Sequence, residues 1–100
     1  MPQENSNVKE KSRLDIKEPK KYNVIFHNDD FTPMEFVTHM LVSVFHKNPT
    51  EAETLMLQVH HSGKAVVGTY SYDIAMTKCS IVTHEARAEG FPLRVSVQEV

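Results

Sequence analysis

One hundred residues, 40% of them hydrophobic, allow one small domain with a core of its own, and no apolar run nears the ~20 residues of a membrane span. Residues 1–21 carry six Lys/Arg against four Asp/Glu and residues 22–100 five against nine; an acidic body without a cationic cluster argues against nucleic-acid binding, which depends on neutralising phosphates. No apolar h-region of a secretory signal opens the chain and the lone Cys79 can form no internal disulfide, so a cytoplasmic protein is expected.

Residues 1–20 are polar, without helical periodicity, and are read as a disordered N-terminal extension to a folded domain over 21–100. Residues 22–27 alternate as a strand does. Thr32, Pro33 and Glu35 then predict a helix start, with Thr32 as N-cap, Pro33 as first helical residue and a Thr-x-x-Glu capping box. Phe36, Val37, Met40, Leu41, Val44 and Phe45 follow at helical spacing. Asn48-Pro49-Thr50-Glu51 repeats the start signal for a second helix, which buries Ala52, Leu55, Met56 and Val59 and ends at Gly63.

Residues 64–70 are apolar and β-branched, a second strand. Ser71 is expected to cap a third helix with Asp73 in its first turn, and Ala75, Cys79, Val82 and Ala86 form its buried stripe, Cys79 as a small buried residue. Gly90 and Pro92 end it. Leu93, Val95 and Val97 alternate with polar neighbours as a last strand with one wet face. The order β-α-α-β-α-β predicts an α+β fold, a three-stranded antiparallel sheet with three helices packed on one face.

Six histidines and the Asp29-Asp30 pair invite a metal or hydrolase reading. Yet His60 and His61, adjacent on a helix, point about 100° apart, no His-Glu-x-x-His or Cys-x-x-Cys spacing occurs, and no activated nucleophile or Gly-rich phosphate loop completes a reaction centre. No metal, cofactor or catalytic residue is expected.

The string Asn28-Asp29-Asp30-Phe31-Thr32-Pro33-Met34-Glu35-Phe36-Val37 closely resembles the signature of the ClpS adaptor family, and the resemblance continues through Leu55 to His60, Gly63-Lys64-Ala65, Ala86-Arg87 and Pro92-Leu93. Three positions depart from it: Phe31 stands where tyrosine is usual, His27 where an aliphatic residue is common, and His61 doubles a single histidine. The resemblance implies a non-enzymatic adaptor, expected to be monomeric. It would bind proteins with a free, bulky N-terminal Leu, Phe, Tyr or Trp and deliver them to the N-terminal domain of a Clp-family AAA+ unfoldase.

It also implies roles for individual residues. Asn28, Asp29 and His60 match the positions that hold the substrate's α-amino group, an ammonium with three donors; an amide oxygen, a carboxylate and a neutral imidazole nitrogen are acceptors suited to it. Met34, Val37, Met56, Val59 and Leu93, which periodicity alone makes core residues, match a hydrophobic pocket for the first side chain. Asp73 and Lys78, by themselves ordinary surface charges, match contacts to the unfoldase. The rival is a ribosome-associated interaction module, since the ribosomal stalk protein's C-terminal domain has a related fold; such a module needs no ammonium-binding constellation like Asn28-Asp29…His60.

Overall fold

Strand side chains alternate between faces, and residues 22–27 use that alternation to turn Val24 and Phe26 inward, both 0% exposed. In the computed structural model, described over residues 19–100, this is β1 (Tyr22–His27). It is the centre of a sheet ordered β2-β1-β3, with β2 (Lys64–Tyr70) and β3 (Arg94–Glu99) pairing to it antiparallel. The register shifts beside Val24 and Ile25, so Val67 has no partner on β1. Ala65 and Val67, two apart on β2, both point into the core by ordinary strand alternation. A Cβ on Gly68, just beyond Val67, would run into the Tyr70 ring.

Three helices cover the inner face: α1 (Met34–Ser43), α2 (Pro49–Ser62) and α3 (Tyr72–Ala88). Val37, Met40 and Leu41 of α1, Ala52 and Val59 of α2, and Ala75, Val82 and Ala86 of α3 join Phe45 and the inward strand residues in one apolar cluster. The rings of Phe26 and Phe45 meet edge to face at 5.5 Å, a favoured aromatic geometry. Leu55 and Met56, expected to be buried on α2, are only partly so, and Cys79 is half-buried with its thiol donating to the Val95 carbonyl at 3.4 Å.

The start signals met different fates. At α2 the predicted box forms in both directions: the Glu51 N–H donates to Asn48 Oδ1 at 2.8 Å and the Asn48 N–H to Glu51 Oε1 at 3.2 Å. Gly63 ends that helix at φ 89°, a conformation glycine adopts without strain. Ser71 is the N-cap residue of α3 but its hydroxyl caps nothing, while Asp73 lies in the first turn as expected. At α1 the predicted Thr32 cap is absent. The N-cap position falls on Pro33, the helix begins at Met34, and no side chain caps it. The cause is local competition: the Asp29 carboxylate accepts from both the N–H and the hydroxyl of Thr32, at 2.7 and 2.8 Å. A charged acceptor outbids a helix terminus for that hydroxyl.

Leu93, expected to open the last strand, lies one residue before it and is 1% exposed. The expected disordered extension falls outside the described residues except for Pro19 and Lys20. Lys21 already extends the ladder between β1 and β3, its carbonyl accepting the Val100 N–H at 2.9 Å.

Candidate functional site

The segment between β1 and α1 cannot wander, because two sets of bonds pin it. At its start the Asn28 N–H donates to the Gly63 carbonyl at 2.8 Å. This brings the end of β1 against the last turn of α2, where His60 sits. One residue on, Asp29 folds the chain back on itself. Its Oδ1 accepts the N–H groups of Phe31 and Thr32 at 2.8 and 2.7 Å, and its Oδ2 the Thr32 hydroxyl. This is the side-chain-driven turn that aspartate favours.

Between this loop, α1 and α2 lies a cavity of about 220 Å³. Asn28, Asp29, Asp30, Thr32 and His60 supply its polar wall, and Met34, Val37, Met56 and Val59 its apolar one. A much smaller void of about 10 Å³ shares Asn28, Asp29, Thr32, Val37 and Val59 and reaches His27 and Leu93. All eight residues expected to form the binding site therefore surround one region, with Leu93 at its inner end. Val37 and Val59 also belong to the core, so that wall is fixed, whereas Met34 is 44% exposed and free to adjust. A cavity of about 150 Å³ can already take up benzene; this one has room for a bulky side chain.

Electrostatics keep the polar wall negative. Burial pushes the Asp29 carboxyl up, but the hydrogen bonds from Thr32 and Phe31, helped by the Arg87 guanidinium, more than offset it and hold the group below its usual value of 3.8. A carboxylate offers about four lone-pair sites, and three are engaged within the loop. One site is left without a partner among these contacts.

Asp30, Thr32 and Arg87 carried no site assignment in the sequence. Asp30 completes the polar wall. Thr32 orients Asp29, a role hinted at by threonine three residues after an aspartate in a turn. Arg87 donates through Nη1 to the carbonyls of Phe91 and Leu93 at 2.8 and 2.9 Å, so it also fixes the segment carrying Leu93. Asp73 and Lys78 lie apart from the cavity on α3. Asp73 is exposed, but Lys78 is partly buried and anchored: its ammonium donates to the Val44 carbonyl at 2.6 Å and lies 5.6 and 5.3 Å from the ring centroids of Phe45 and Tyr70. A cation at the C-terminal end of α1 suits that helix's dipole.

His27 has its own chemistry. The register sets it opposite Lys64 on one side and Arg94 on the other, and its Nε2 lies 2.7 Å from Ser96 Oγ. Burial first, then Arg94 and Lys64, lowers its pKa below the usual 6.5. The unfolded chain therefore binds this proton more readily than the fold. The resulting contribution is fully present above pH 6.5 and is lost as pH falls towards the folded-state value. The melting temperature of wild type should thus drop further between pH 7 and 5 than that of His27→Gln. Parallel melting curves for the two would refute this attribution.

Among the described residues, no three His, Cys, Asp or Glu side chains are grouped as metal ligands, and no helix is long and apolar enough to cross a membrane. Fold and site together define a small α+β domain with an apolar cavity whose mouth is lined by hydrogen-bond acceptors. A family model for the ATP-dependent Clp protease adaptor protein ClpS matches residues 17–96. The chain belongs to the ClpS family of Clp protease adaptors. It is 54% identical over 83 residues to the ClpS of Treponema denticola, covering 83% of this chain and 82% of that one. With the ClpS of Acetivibrio thermocellus the identity is 49% over 86 residues, 86% of this chain and 87% of the other. A solved structure of Agrobacterium tumefaciens ClpS2 bound to L-phenylalaninamide superposes with a TM-score of 0.81 at 38% identity, over 83% of this chain and all of that one.

Proposed function

We propose that this adaptor binds the first residue of proteins bearing a free α-amine and a bulky apolar side chain, Leu, Phe, Tyr or Trp, and delivers them to a Clp-family AAA+ unfoldase for degradation. The observation that carries this reading is the convergence of Asn28, Asp29 and His60 with Met34, Val37, Met56 and Val59 around one cavity. An ammonium has three N–H donors; the spare capacity of Asp29, the Asn28 side-chain oxygen and a His60 ring nitrogen give it three acceptors. The side chain of the same residue enters the apolar part, with Leu93 beneath. L-Phenylalaninamide, the ligand of the Agrobacterium relative, combines these two features: a free α-amine and a benzyl group.

Magnitudes require both halves. Burying a Leu or Phe side chain contributes about 1.5–3 kcal/mol, while micromolar affinity needs about 8 kcal/mol. Hydrogen bonds to a charged group, about 1.5–3 kcal/mol each, together with contacts to the following residues, supply the difference. For delivery, the proposed unfoldase contact is the surface of α3 around the exposed Asp73 and the partly buried Lys78. Ile74 and Ile81, 49% and 44% exposed, flank Lys78 at i−4 and i+3 and extend that face with apolar surface. In this reading the N-terminal extension is engaged by the unfoldase during delivery. The side-chain half is tested by titrating otherwise identical peptides that start with Leu, Phe or Ala. Leu and Phe should bind at least tenfold more tightly than Ala; equal affinities would remove the pocket assignment.

A further inference from the structure

A second, larger depression adjoins the cavity and is not needed to hold a first residue. It measures about 570 Å³ and runs between the outer faces of α1 and α2. Met34, Thr38 and Val42 lie along α1 at four-residue steps, and Pro49, Glu53 and Met56 along α2 at steps of four and three, so each set forms one stripe. Met34 and Met56 line both depressions, which makes the groove a direct continuation of the cavity. Its floor stays apolar in contact with water: Met34 is 44% and Val42 37% exposed.

We infer that this groove is a second subsite for the same bound chain, taking a bulky apolar side chain from its third, fourth or fifth residue. This rests on the proposed function, because the groove's occupant is identified by its continuity with the cavity that would hold the first residue. Length supports the assignment. Met34 and Val42 are eight residues apart on α1, about 12 Å along the axis. An extended chain covers that in three to four residues at ~3.3 Å each. A side chain leaving the cavity's mouth beyond the second residue therefore comes to lie over Val42 rather than in solvent. The two thioethers at the junction can adapt to side chains of different shape. Glu35 and Glu53 also line the groove, so a neutral or cationic segment fits it and an acidic one does not.

The test uses the full chain and fluorescent peptides that start with Leu and continue in Ala and Ser, into which one further Leu is moved through positions 2 to 6. Wild type should bind the parent peptide, and a Leu at one or two of positions 3 to 5 should tighten binding about three- to tenfold, part of what complete burial would give in an open groove. The gain should vanish in Val42→Asp, and in His39→Asp, a second exposed position of the same groove. If the parent peptide binds but no position gives a gain, or the gain survives both substitutions, the subsite is refuted while the first-residue reading stands. Failure of wild type to bind the parent peptide would overturn both.

Discussion

Replacing Asp29 by Asn should weaken binding of a Leu-starting peptide by about 30- to 150-fold while leaving the loop in place. The amide retains an oxygen for the Phe31 and Thr32 N–H groups, which Oδ1 accepts at 2.8 and 2.7 Å, and its NH₂ can donate to the Thr32 hydroxyl. What it loses is the negative charge proposed to pair with the ammonium. Truncating one partner of a buried hydrogen-bonded charge pair costs about 2–5 kcal/mol. Asp29 is half-buried, so the lower part of that range, about 2–3 kcal/mol, applies. Asp29→Ala should bind worse still, because the turn loses its acceptor as well. The hydrogen bonds that hold this carboxyl below its usual range keep it ionised throughout neutral pH, so any pH dependence of binding above about 5 arises elsewhere. Titration of wild type and both variants measures the effect; an Asp29→Asn protein with wild-type affinity would show that the carboxylate serves the loop alone.

Phe26→Ala should lower the melting temperature by roughly 12–40 °C. Phe26 is 0% exposed at the centre of the sheet, stacked edge to face against Phe45. Removing a buried phenyl ring costs about 3–5 kcal/mol, against a total stability on the order of 4–12 kcal/mol for a domain this size. Each kcal/mol corresponds to about 4–8 °C for 60–100 residues. Because β1 leads directly into Asn28 and Asp29, peptide binding should disappear together with the fold. Thermal melts followed by circular dichroism, set beside Asp29→Asn, separate the two mechanisms: Asp29→Asn should lose affinity without a comparable fall in melting temperature. A shift of less than about 5 °C in Phe26→Ala would mean that this core collapses around the missing ring.

The contrast between the two helix starts shows what could be read from the chain alone. Asn48-Pro49-Thr50-Glu51 forms its cap because all partners lie within four residues and nothing competes. Thr32-Pro33-Met34-Glu35 carries the same signals, but Asp29 takes the Thr32 hydroxyl and N–H, and a local pattern gives no ranking of rival acceptors. Helical periodicity placed Val37, Met56 and Val59 on inward stripes yet could not separate a core position from a cavity wall. That distinction depends on how closely α1 and α2 pack at Met34 and Met56. Lys78 illustrates the opposite limit. Its ammonium ends on Val44, 34 residues away in sequence, and only tertiary structure turns an ordinary surface charge into a helix-terminal anchor. Arg87 likewise fixes Leu93 through carbonyl contacts that residue type does not announce. The resemblance to ClpS, by contrast, pointed to Asn28, Asp29 and His60 as a group because it preserves their order and spacing.

Recognition of a free amine is the centre of the proposed function. Isothermal titration of wild type with a Leu-starting peptide and with its N-acetylated form tests that alone, since the Leu side chain and every later residue are unchanged. Acetylation removes the charge and two of the three donors, leaving one amide N–H for the acceptors of Asn28, Asp29 and His60. The free peptide should bind at least a hundredfold more tightly, as expected for losing charge-assisted bonds at about 1.5–3 kcal/mol each. If the acetylated peptide binds equally well, the acceptor-lined mouth does not read an N-terminus, and the proposed function is wrong.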